Sequence, residues 1–409
     1  MSRRWAVFTI ASLNFFLSQF YRASNAVISM DLLRDLSIDT QGLGLLSASF
    51  FYGFALTQIP VSLFLDRVGP RRMMTGLSLL GILGALIFSW AGNLNSGLAG
   101  RFLLGVGMAC NLMGTLKLLS LWFGPLSFAT LSGILFSIGT FGNMAAATPL
   151  VLLAGRLGWR GSFQVIAGVN LLLVPLFYLI VRDGPEEESS ISHGPDVTGK
   201  PPKLFSGLLL LLRLKEYWII SLGTLVSYGV LAAFQALWAG PYLMEAMGLS
   251  AVNAGNIILL LNVGLIIGGP AWGLLSDRVF RTHKWIIFWG HVMFFLVMTV
   301  AALLPPGTGL VVLGLLFFSF GLFRTTGILM YAHIKELMPL EMAGTAMAGI
   351  NFFTMLGSAI FLQGLGSLMQ GFYPQASRGP EAFEMAFLVC GASVLAISLL
   401  YLLTRERNR

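Results

Sequence analysis

Charged residues are scarce in this chain. Of its 409 residues, 10% are Asp, Glu, Lys or Arg and 56% are apolar, and the mean hydropathy is +0.83. A soluble protein of this length needs a polar surface to face water. The composition therefore excludes a soluble globular protein and predicts that most of the chain lies in a lipid bilayer.

The chain has only two cysteines and no phosphate-binding motif. The two cysteines, Cys110 and Cys390, each lie inside an apolar run, which indicates neither a disulfide framework nor a thiolate metal site. No cluster of His, Cys or carboxylates has metal-ligand spacing, and no glycine-rich loop ends in Lys-Ser or Lys-Thr. We therefore expect no cofactor, no metal, no ATP-driven pump and no enzyme.

Acidic residues are missing from the middle of the apolar runs, since all 17 fall in loops or near the ends of runs. An exporter that exchanges a cation for protons generally needs a buried carboxylate, so this absence weakens that interpretation. The antiporter pattern Gly-Pro-x-x-Gly-Gly is also absent from the fifth run. Asp31 and Glu245, near the predicted outer ends of two runs, are the candidates for proton coupling. His291 and His333 are interpreted as hydrogen-bonded packing residues, with a role as proton carriers as the alternative.

Twelve apolar runs are each long enough to cross the roughly 30 Å of hydrocarbon in a bilayer. The polar segment 183–216 separates the sixth run from the seventh and is predicted to be a cytoplasmic linker whose last part lies along the membrane surface. The predicted domains are an N-terminal six-helix bundle, 1–182, and a C-terminal six-helix bundle, 217–409. The predicted spans are 5–32, 42–64, 74–92, 97–121, 126–153, 161–181, 217–244, 251–274, 285–304, 308–332, 342–369 and 382–403.

A charge-rich motif between the second and third runs, from Ser62 to Arg72, is repeated 211 positions later around Asp277. Loops of this form resemble the signature of the major facilitator superfamily, although Ser62 and Phe280 stand where that signature has glycines. The resemblance implies an all-α membrane protein of twelve transmembrane helices in two pseudo-symmetric bundles. It also implies a gating role on the cytoplasmic side, for which the alternative is a plain positively charged anchor. The candidate gating residues are Asp66, Arg67, Arg71, Arg72, Asp277 and Arg278.

Lysine and arginine are distributed unevenly between the two ends of the runs. With a cytoplasmic N-terminus, 18 of the 25 basic residues lie at the inner ends. This imbalance predicts that both termini are cytoplasmic. It also explains the net charge of +8 without a nucleic-acid partner. We expect a multi-pass protein of a prokaryotic inner membrane.

Two arginines lie inside apolar runs, Arg22 in the first and Arg324 in the tenth. An arginine at such a depth costs at least about 2.5 kcal/mol unless it faces a wet cavity or a partner. A guanidinium can bind a carboxylate or phosphate through two hydrogen bonds. The pattern Tyr21-Arg22-x-x-Asn25 also resembles the first helix of organic-anion and phosphate-ester carriers of the superfamily. The alternative is that Arg22 pairs with a carboxylate such as Asp31.

By the same resemblance, the first, fourth, seventh and tenth helices line the substrate cavity. Polar and aromatic side chains in these helices are suitable for orienting a small solute, and hydrogen bonding between helices is the alternative for each. Arg101, in a motif that resembles one of the family's fourth helix, has no obvious buried acid and is interpreted as structural. Beside Arg22 and Arg324, the candidate substrate-binding residues are Tyr21, Asn25, Asn111, Gln235, Trp238 and Tyr331.

The preferred hypothesis is a secondary transporter that moves a small organic anion, a carboxylate or a phosphorylated metabolite, by alternating access. A coupling proton or a counter-anion is expected, and so is a monomer. The first alternative is a proton-coupled exporter or carrier of neutral or cationic solutes. The second is a receptor or assembly protein with a transporter fold that moves nothing.

Overall fold

The computed structural model describes residues 3–123, 125–184, 211–337 and 340–406, and within these ranges the chain is helical with short connections and no strand. The middle of the predicted linker, 185–210, lies outside the described residues. The α-helices are α1 (Arg3–Ala23), α2 (Asn25–Leu36), α3 (Thr40–Val68), α4 (Pro70–Ser89), α5 (Leu94–Met108), α6 (Asn111–Trp122), α7 (Pro125–Ala145), α8 (Thr148–Ile180), α9 (Lys215–Ala233), α10 (Ala251–Leu274), α11 (Lys284–Leu303), α12 (Leu310–Arg324), α13 (Leu329–Leu337), α14 (Leu340–Phe372) and α15 (Pro380–Tyr401).

Local sequence signals explain several helix ends. Pro70 occupies the first turn of α4, where its missing N–H costs nothing, and it follows Gly69 at a φ of +84°. Asn93 accepts a 3.0 Å hydrogen bond from the backbone N–H of Ser96 and caps α5. Within the described ranges, nine helical stretches are long and apolar enough to cross a membrane.

The chain divides into two compact units. The first contains Met1–Ile38 and Ser49–Thr198, and the second contains Asp39–Ala48 and Gly199–Arg409. The long helix α3 therefore begins in the second unit and continues into the first. The sequence pattern did not predict that the ten residues Asp39–Ala48 group with the second unit, because the apolar run of α3 continues past Ala48.

Close helix contacts hold the first unit together. Helix α4 packs against α5 and α8, and α1 packs against α6, α7 and α8. Glycine allows the closest approach, since a Cβ at Gly107 would lie 2.2 Å from the backbone nitrogen of Gly81, and one at Gly105 would lie 1.9 Å from the carbonyl oxygen of Phe50. Such small-residue contacts are typical of helices packed within a bilayer.

The second unit has the same style of packing with more aromatic contact. Helix α9 packs against α14 and α15, α10 against α12, and α11 against α15. The rings of Phe234 and Phe387 stack with their centroids 4.5 Å apart, and Tyr242 lies edge-on to Phe387 at 4.8 Å. The contacts surround the segment that follows α9, which contains Phe234 and Tyr242, with aromatic rings.

Helical hydrogen bonding changes inside five of the predicted spans. The first predicted span is interrupted at Ser24, and the fourth is interrupted between Met108 and Asn111. The seventh contains two π-helical turns, Phe234–Trp238 and Tyr242–Ala246, and the tenth contains the 3₁₀ turn Thr325–Ile328. These four are the first and fourth spans of each predicted half, and the fifth span is also interrupted, between Ala145 and Thr148. Irregular backbone of this kind is frequent at functional sites and at broken helices that bind solutes.

The fifth predicted span, 126–153, contains a helix end. Helix α7 ends at Ala145, and α8 begins at Thr148. Within α8, Gly158 has a φ of +70° and a ψ of 166°, so two helical segments meet there. This junction lies in the predicted gap 154–160 between the fifth and sixth spans.

Candidate functional site

The candidate residues of the first span lie at its interruption. Tyr21 and Asn25 are fully buried, and Arg22 between them is half-buried. The hydroxyl of Ser24 donates a 3.0 Å hydrogen bond to the carbonyl oxygen of Tyr21, and Arg101 Nη1 donates a 2.9 Å bond to the same oxygen. The interruption next to Arg22 is therefore held by side chains as well as by the backbone.

Arg101, which sequence reasoning interpreted as structural, is a buried cation. Its side chain has no exposed surface, and its guanidinium carbon lies 5.1 Å from the ring centroid of Phe50 and 5.6 Å from that of Phe88. Its Nε and Nη2 have no hydrogen-bond partner in the part of the chain that the structure describes. The aromatic faces and the Tyr21 carbonyl therefore compensate much of its charge.

Asn111 begins α6, just after the interruption of the fourth span. Its Nδ2 lies 3.4 Å from the carbonyl oxygen of Asn14, and Thr115 Oγ1 donates to the carbonyl oxygens of Ala11 at 3.3 Å and Asn111 at 2.6 Å. The amide nitrogen of Asn111 thus connects α6 with α1, as the interhelical alternative expects. Its Oδ1 is buried and has no partner among the described residues, so it can accept a further hydrogen bond.

Arg324 ends α12 in the second unit, directly before the 3₁₀ turn. It is 6% exposed, and its guanidinium carbon lies 4.7 Å from the ring centroid of Tyr228. His291 interacts electrostatically with it. The Nδ1 atom of His291 lies 2.8 Å from the carbonyl oxygen of Ile287, which can only accept, so Nδ1 carries a proton. Within the described residues, His291 Nε2 and Ser227 Oγ are buried without a hydrogen-bond partner.

The remaining candidates of the second unit have protein partners. Gln235 Nε2 donates a 2.8 Å hydrogen bond to Asn262 Oδ1, and Trp238 Nε1 donates a 3.2 Å bond to the carbonyl oxygen of Leu362. The hydroxyl of Tyr331 lies 3.0 Å from Thr354 Oγ1 and 3.2 Å from Asn351 Oδ1. All three side chains therefore connect neighbouring helices, whatever else they bind.

The gating candidates are only partly described, since the side chains of Asp66 and Asp277 lie outside the described residues. Arg67, Arg72 and Arg278 are exposed. Arg71 is held in place: its backbone N–H donates a 2.7 Å hydrogen bond to Asp183 Oδ1, its Nε donates a 2.8 Å bond to the carbonyl oxygen of Tyr178, and its guanidinium carbon lies 4.1 Å from that ring's centroid. Sequence reasoning missed Asp183, which it placed in the linker.

The two candidates for proton coupling both form ion pairs. Asp31 pairs with Arg34 at 3.2 Å and is 39% exposed, and Glu245 pairs with Arg378 at 3.0 Å and is 20% exposed.

Asp35, near the C-terminal end of α2, is another residue that sequence reasoning did not single out. Its carboxylate accepts hydrogen bonds from Trp159 Nε1 at 3.0 Å, from Arg34 Nε at 2.9 Å and from Arg160 Nη1. The hydrogen bond from Trp159 contributes most to holding the pKa of Asp35 below its usual value, and the bonds from Arg34 and Arg160 lower it further. Because Arg160 also donates to the carbonyl oxygen of Ala91, the carboxylate connects α2 and α8 to the turn after α4.

Comparison with known proteins identifies the family. The model of the Major Facilitator Superfamily matches residues 8–362. The chain belongs to this superfamily. A bacterial homologue of the human lysosomal transporter Spinster, solved in an inward-facing occupied conformation, has the same fold, with a TM-score of 0.77 at 17% identity over 98% of this chain and 97% of that chain. The predicted fold class, an all-α twelve-helix transporter, is confirmed.

Two curated relatives are similar over much of their length. A probable sulfoacetate transporter from Cupriavidus necator is 23% identical over 71% of this chain and 69% of its own length. A hexuronate transporter from Bacillus subtilis is 23% identical over 92% of this chain and 89% of its own length. Both relatives are named as transporters, which agrees with the expectation that this superfamily member is a carrier and not an enzyme.

Proposed function

We propose that this superfamily member is a secondary carrier of a small organic anion, with a carboxylate, sulfonate or phosphate group that binds to Arg22 and Arg324. Transport proceeds by alternating access, in a prokaryotic inner membrane with both termini in the cytoplasm, and a monomer is sufficient for it. The proposed domains are those of the sequence, 1–182 and 217–409, with 183–216 as the cytoplasmic linker.

The observation that carries the proposal is the position of the two arginines at changes of helical structure. Arg22 lies two residues before the interruption at Ser24, and Arg324 lies directly before the 3₁₀ turn Thr325–Ile328. Backbone that leaves the α-helical pattern within a bilayer is tolerated where it lines a cavity or is buried in protein. A guanidinium at such a point combines a fixed backbone with charge-assisted, two-pronged recognition of an anion.

The names of the relatives support the anionic class of the substrate. Sulfoacetate and hexuronates are small organic acids, and the relatives named for them are 23% identical to this chain. We assign Tyr21, Asn25, Asn111 and Tyr331 to substrate orientation next to the arginines. Gln235 and Trp238 also belong to that group, and their hydrogen bonds to neighbouring helices hold their side chains in place.

The gate and the coupling site remain part of the same proposal. Asp66, Arg67, Arg71, Arg72, Asp277 and Arg278 gate the cytoplasmic side, with Arg71 held by Asp183. Coupling uses a proton at Asp31 or Glu245, or else a counter-anion in exchange.

Uptake into proteoliposomes tests the proposal. Labelled sulfoacetate, glucuronate and glucarate are offered to the wild type and to the R22A, R324A and R324K variants, with R156A as the matched control because Arg156 is exposed. Loss of one charge-assisted contact should lower the apparent affinity by about tenfold or more. Lysine should restore little, because an ammonium cannot form the two parallel bonds. R156A should transport normally.

Other outcomes identify the alternatives. Normal uptake by both alanine variants contradicts the anion-binding role. Competition by a lipophilic cation, together with dependence on Asp31 or Glu245 and not on the arginines, indicates the exporter of neutral or cationic solutes. Binding in a thermal-shift assay without flux indicates a receptor.

A further inference from the structure

A cluster of polar side chains lies at one end of the second unit, the end that the charge distribution predicts to be cytoplasmic. His283, just before α11, is 3% exposed. Its Nδ1 lies 2.5 Å from Ser276 Oγ, in the π-helical turn Leu275–Val279 that follows α10. Its Nε2 lies 3.2 Å from Glu336 Oε1, in the last turn of α13. Both ring nitrogens therefore have polar partners.

The hydrogen bonds determine where the protons are. Ser276 Oγ donates a 2.9 Å hydrogen bond to the carbonyl oxygen of Thr282, which can only accept. Because the hydroxyl proton is used in that bond, Ser276 must accept from His283, and Nδ1 carries a proton. An ionised Glu336 can also only accept, so a hydrogen bond between Nε2 and Oε1 needs one further proton. The pair His283–Glu336 thus holds one exchangeable proton in this arrangement.

A second histidine beside the pair has hydrogen-bond partners that suit the neutral form. His333 Nε2 lies 3.0 Å from the carbonyl oxygen of Arg405, so Nε2 donates. His333 Nδ1 lies 2.5 Å from the hydroxyl of Tyr401 and can accept its proton. The rings of His283 and His333 are 6.4 Å apart. The neutral form of His333 therefore avoids a second positive charge next to a protonated His283.

The other charged groups near the cluster have defined places. Lys284 Nζ donates 2.7 Å hydrogen bonds to the carbonyl oxygens of Leu402 and Thr404, after the end of α15. Arg405 Nε lies 3.5 Å from Glu216 Oε1 at the start of α9. Glu336 and Glu406 both interact electrostatically with His333. The cluster therefore connects α9, α11, α13 and the end of α15 through one network.

We propose that His283 and Glu336 form a proton-binding site through which the carrier senses cytoplasmic pH. Histidine is the side chain that ordinarily changes charge between pH 5 and 8. When the proton leaves for solvent through the partly exposed Glu336, the lone pair of Nε2 faces a carboxylate and the hydrogen bond is lost. Ser276 is next to Asp277 and Arg278, so loss of the bond releases the segment that carries these two gating candidates. Transport should then fall as cytoplasmic pH rises.

Amide hydrogen exchange tests the proton site without any substrate. After correction for intrinsic exchange rates, peptides covering 275–283 should exchange about fivefold faster at pH 8 than at pH 6, since one proton shifts an equilibrium by up to about tenfold per pH unit. H283Q should abolish this difference. E336Q should keep the segment protected at both pH values, because its amide N–H can donate to a neutral imidazole. Equal protection of the wild type at both pH values, or an unchanged difference in H283Q, overturns the proposal.

Anion exchange at equal pH on both sides of the membrane tests the consequence for transport and rests on the proposed function. The wild-type rate should fall about fivefold between pH 6 and pH 8, and E336Q should be flat. The matched control is K284M, which removes the neighbouring contacts to Leu402 and Thr404 but leaves the imidazole. It should lower the rate equally at every pH. If amide hydrogen exchange responds to pH but transport does not, the site binds a proton without regulating the carrier, and the proposal is wrong. Absence of anion transport at every pH contradicts the proposed function instead.

Discussion

The backbone N–H of Arg71 donates a 2.7 Å hydrogen bond to the carboxylate of Asp183, which lies 112 positions later in the chain. This bond places a negative charge at the positive end of α4, in the first turn after Pro70. The arrangement also requires Gly69, since a Cβ there would lie 2.3 Å from Asp183 Oδ2. The first residues of the linker are therefore attached to the loop between the second and third spans.

Substitution of Asp183 should weaken this attachment. D183A removes a helix cap and should lower the stability of the first unit by about 1 kcal/mol, with a smaller loss for D183N, which keeps an acceptor oxygen. G69A should cost at least as much, because its backbone has a φ of +84°. Thermal unfolding in detergent measures these effects. D31N, at an exposed pair, should be neutral by comparison, and an unchanged melting temperature of D183A contradicts the capping role.

Asp35 should make stability depend on pH. Because its folded pKa is lowered, its contribution is fully present above the unfolded value of about 3.9 and is lost as pH falls through the folded value. D35N should therefore destabilise the protein at pH 7, by about 1–3 kcal/mol for donors left unsatisfied, and the gap to the wild type should close at acid pH. Melting temperatures between pH 3 and pH 7 check this. A gap that is constant over the whole range is the contrary result.

Arg101 should matter more for transport than for stability. Replacement of a buried cation by an apolar side chain often costs little, because the burial of the charge is itself unfavourable. R101M should thus shift stability by no more than about 1 kcal/mol. It should raise the KM for the anion by about tenfold, because the carbonyl of Tyr21 next to Arg22 loses its 2.9 Å hydrogen bond. The control is R156M at an exposed site. A normal KM in R101M would show that Arg101 has no positioning role.

The ring of Tyr228 should hold Arg324 in its binding orientation. Y228L removes the aromatic face 4.7 Å from the guanidinium and should weaken anion binding by about twofold to thirtyfold, which corresponds to a cation–π contact of about 0.5–2 kcal/mol. Y228F keeps that face and should bind nearly as well as the wild type. Y178L removes the similar ring over Arg71 and should leave affinity unchanged. Binding is measured by calorimetry or by thermal shift, and equal affinities of Y228L and Y228F contradict the prediction.

The spans and the two arginines within them could be predicted from sequence, because their signals are local. A run of about 20 apolar residues specifies a membrane helix wherever it lies. A single arginine within such a run is conspicuous because of its cost. Arg22 and Arg324 are therefore recognisable from their immediate neighbours in the chain alone.

The interruptions of the helices were not predictable in this way. Ala109 and Cys110 lie at the break between α5 and α6, although neither is a helix breaker, whereas Pro60 and Pro270 lie inside helices that continue. Packing against neighbouring helices decides these positions, and an amino-acid pattern does not record it. The same holds for the partners of Asp183 and His283. Their contacts join residues from distant parts of the chain, and no periodicity connects them.

The 3₁₀ turn Thr325–Ile328 divides the tenth span into two parts with different attachments. Before the turn, a Cβ on Gly321 would lie 2.1 Å from the carbonyl oxygen of Leu261, so that part is pressed against α10. After the turn, α13 packs against α14. The two parts of the span are therefore held by different neighbours, and Arg324 lies at the point where the attachment changes.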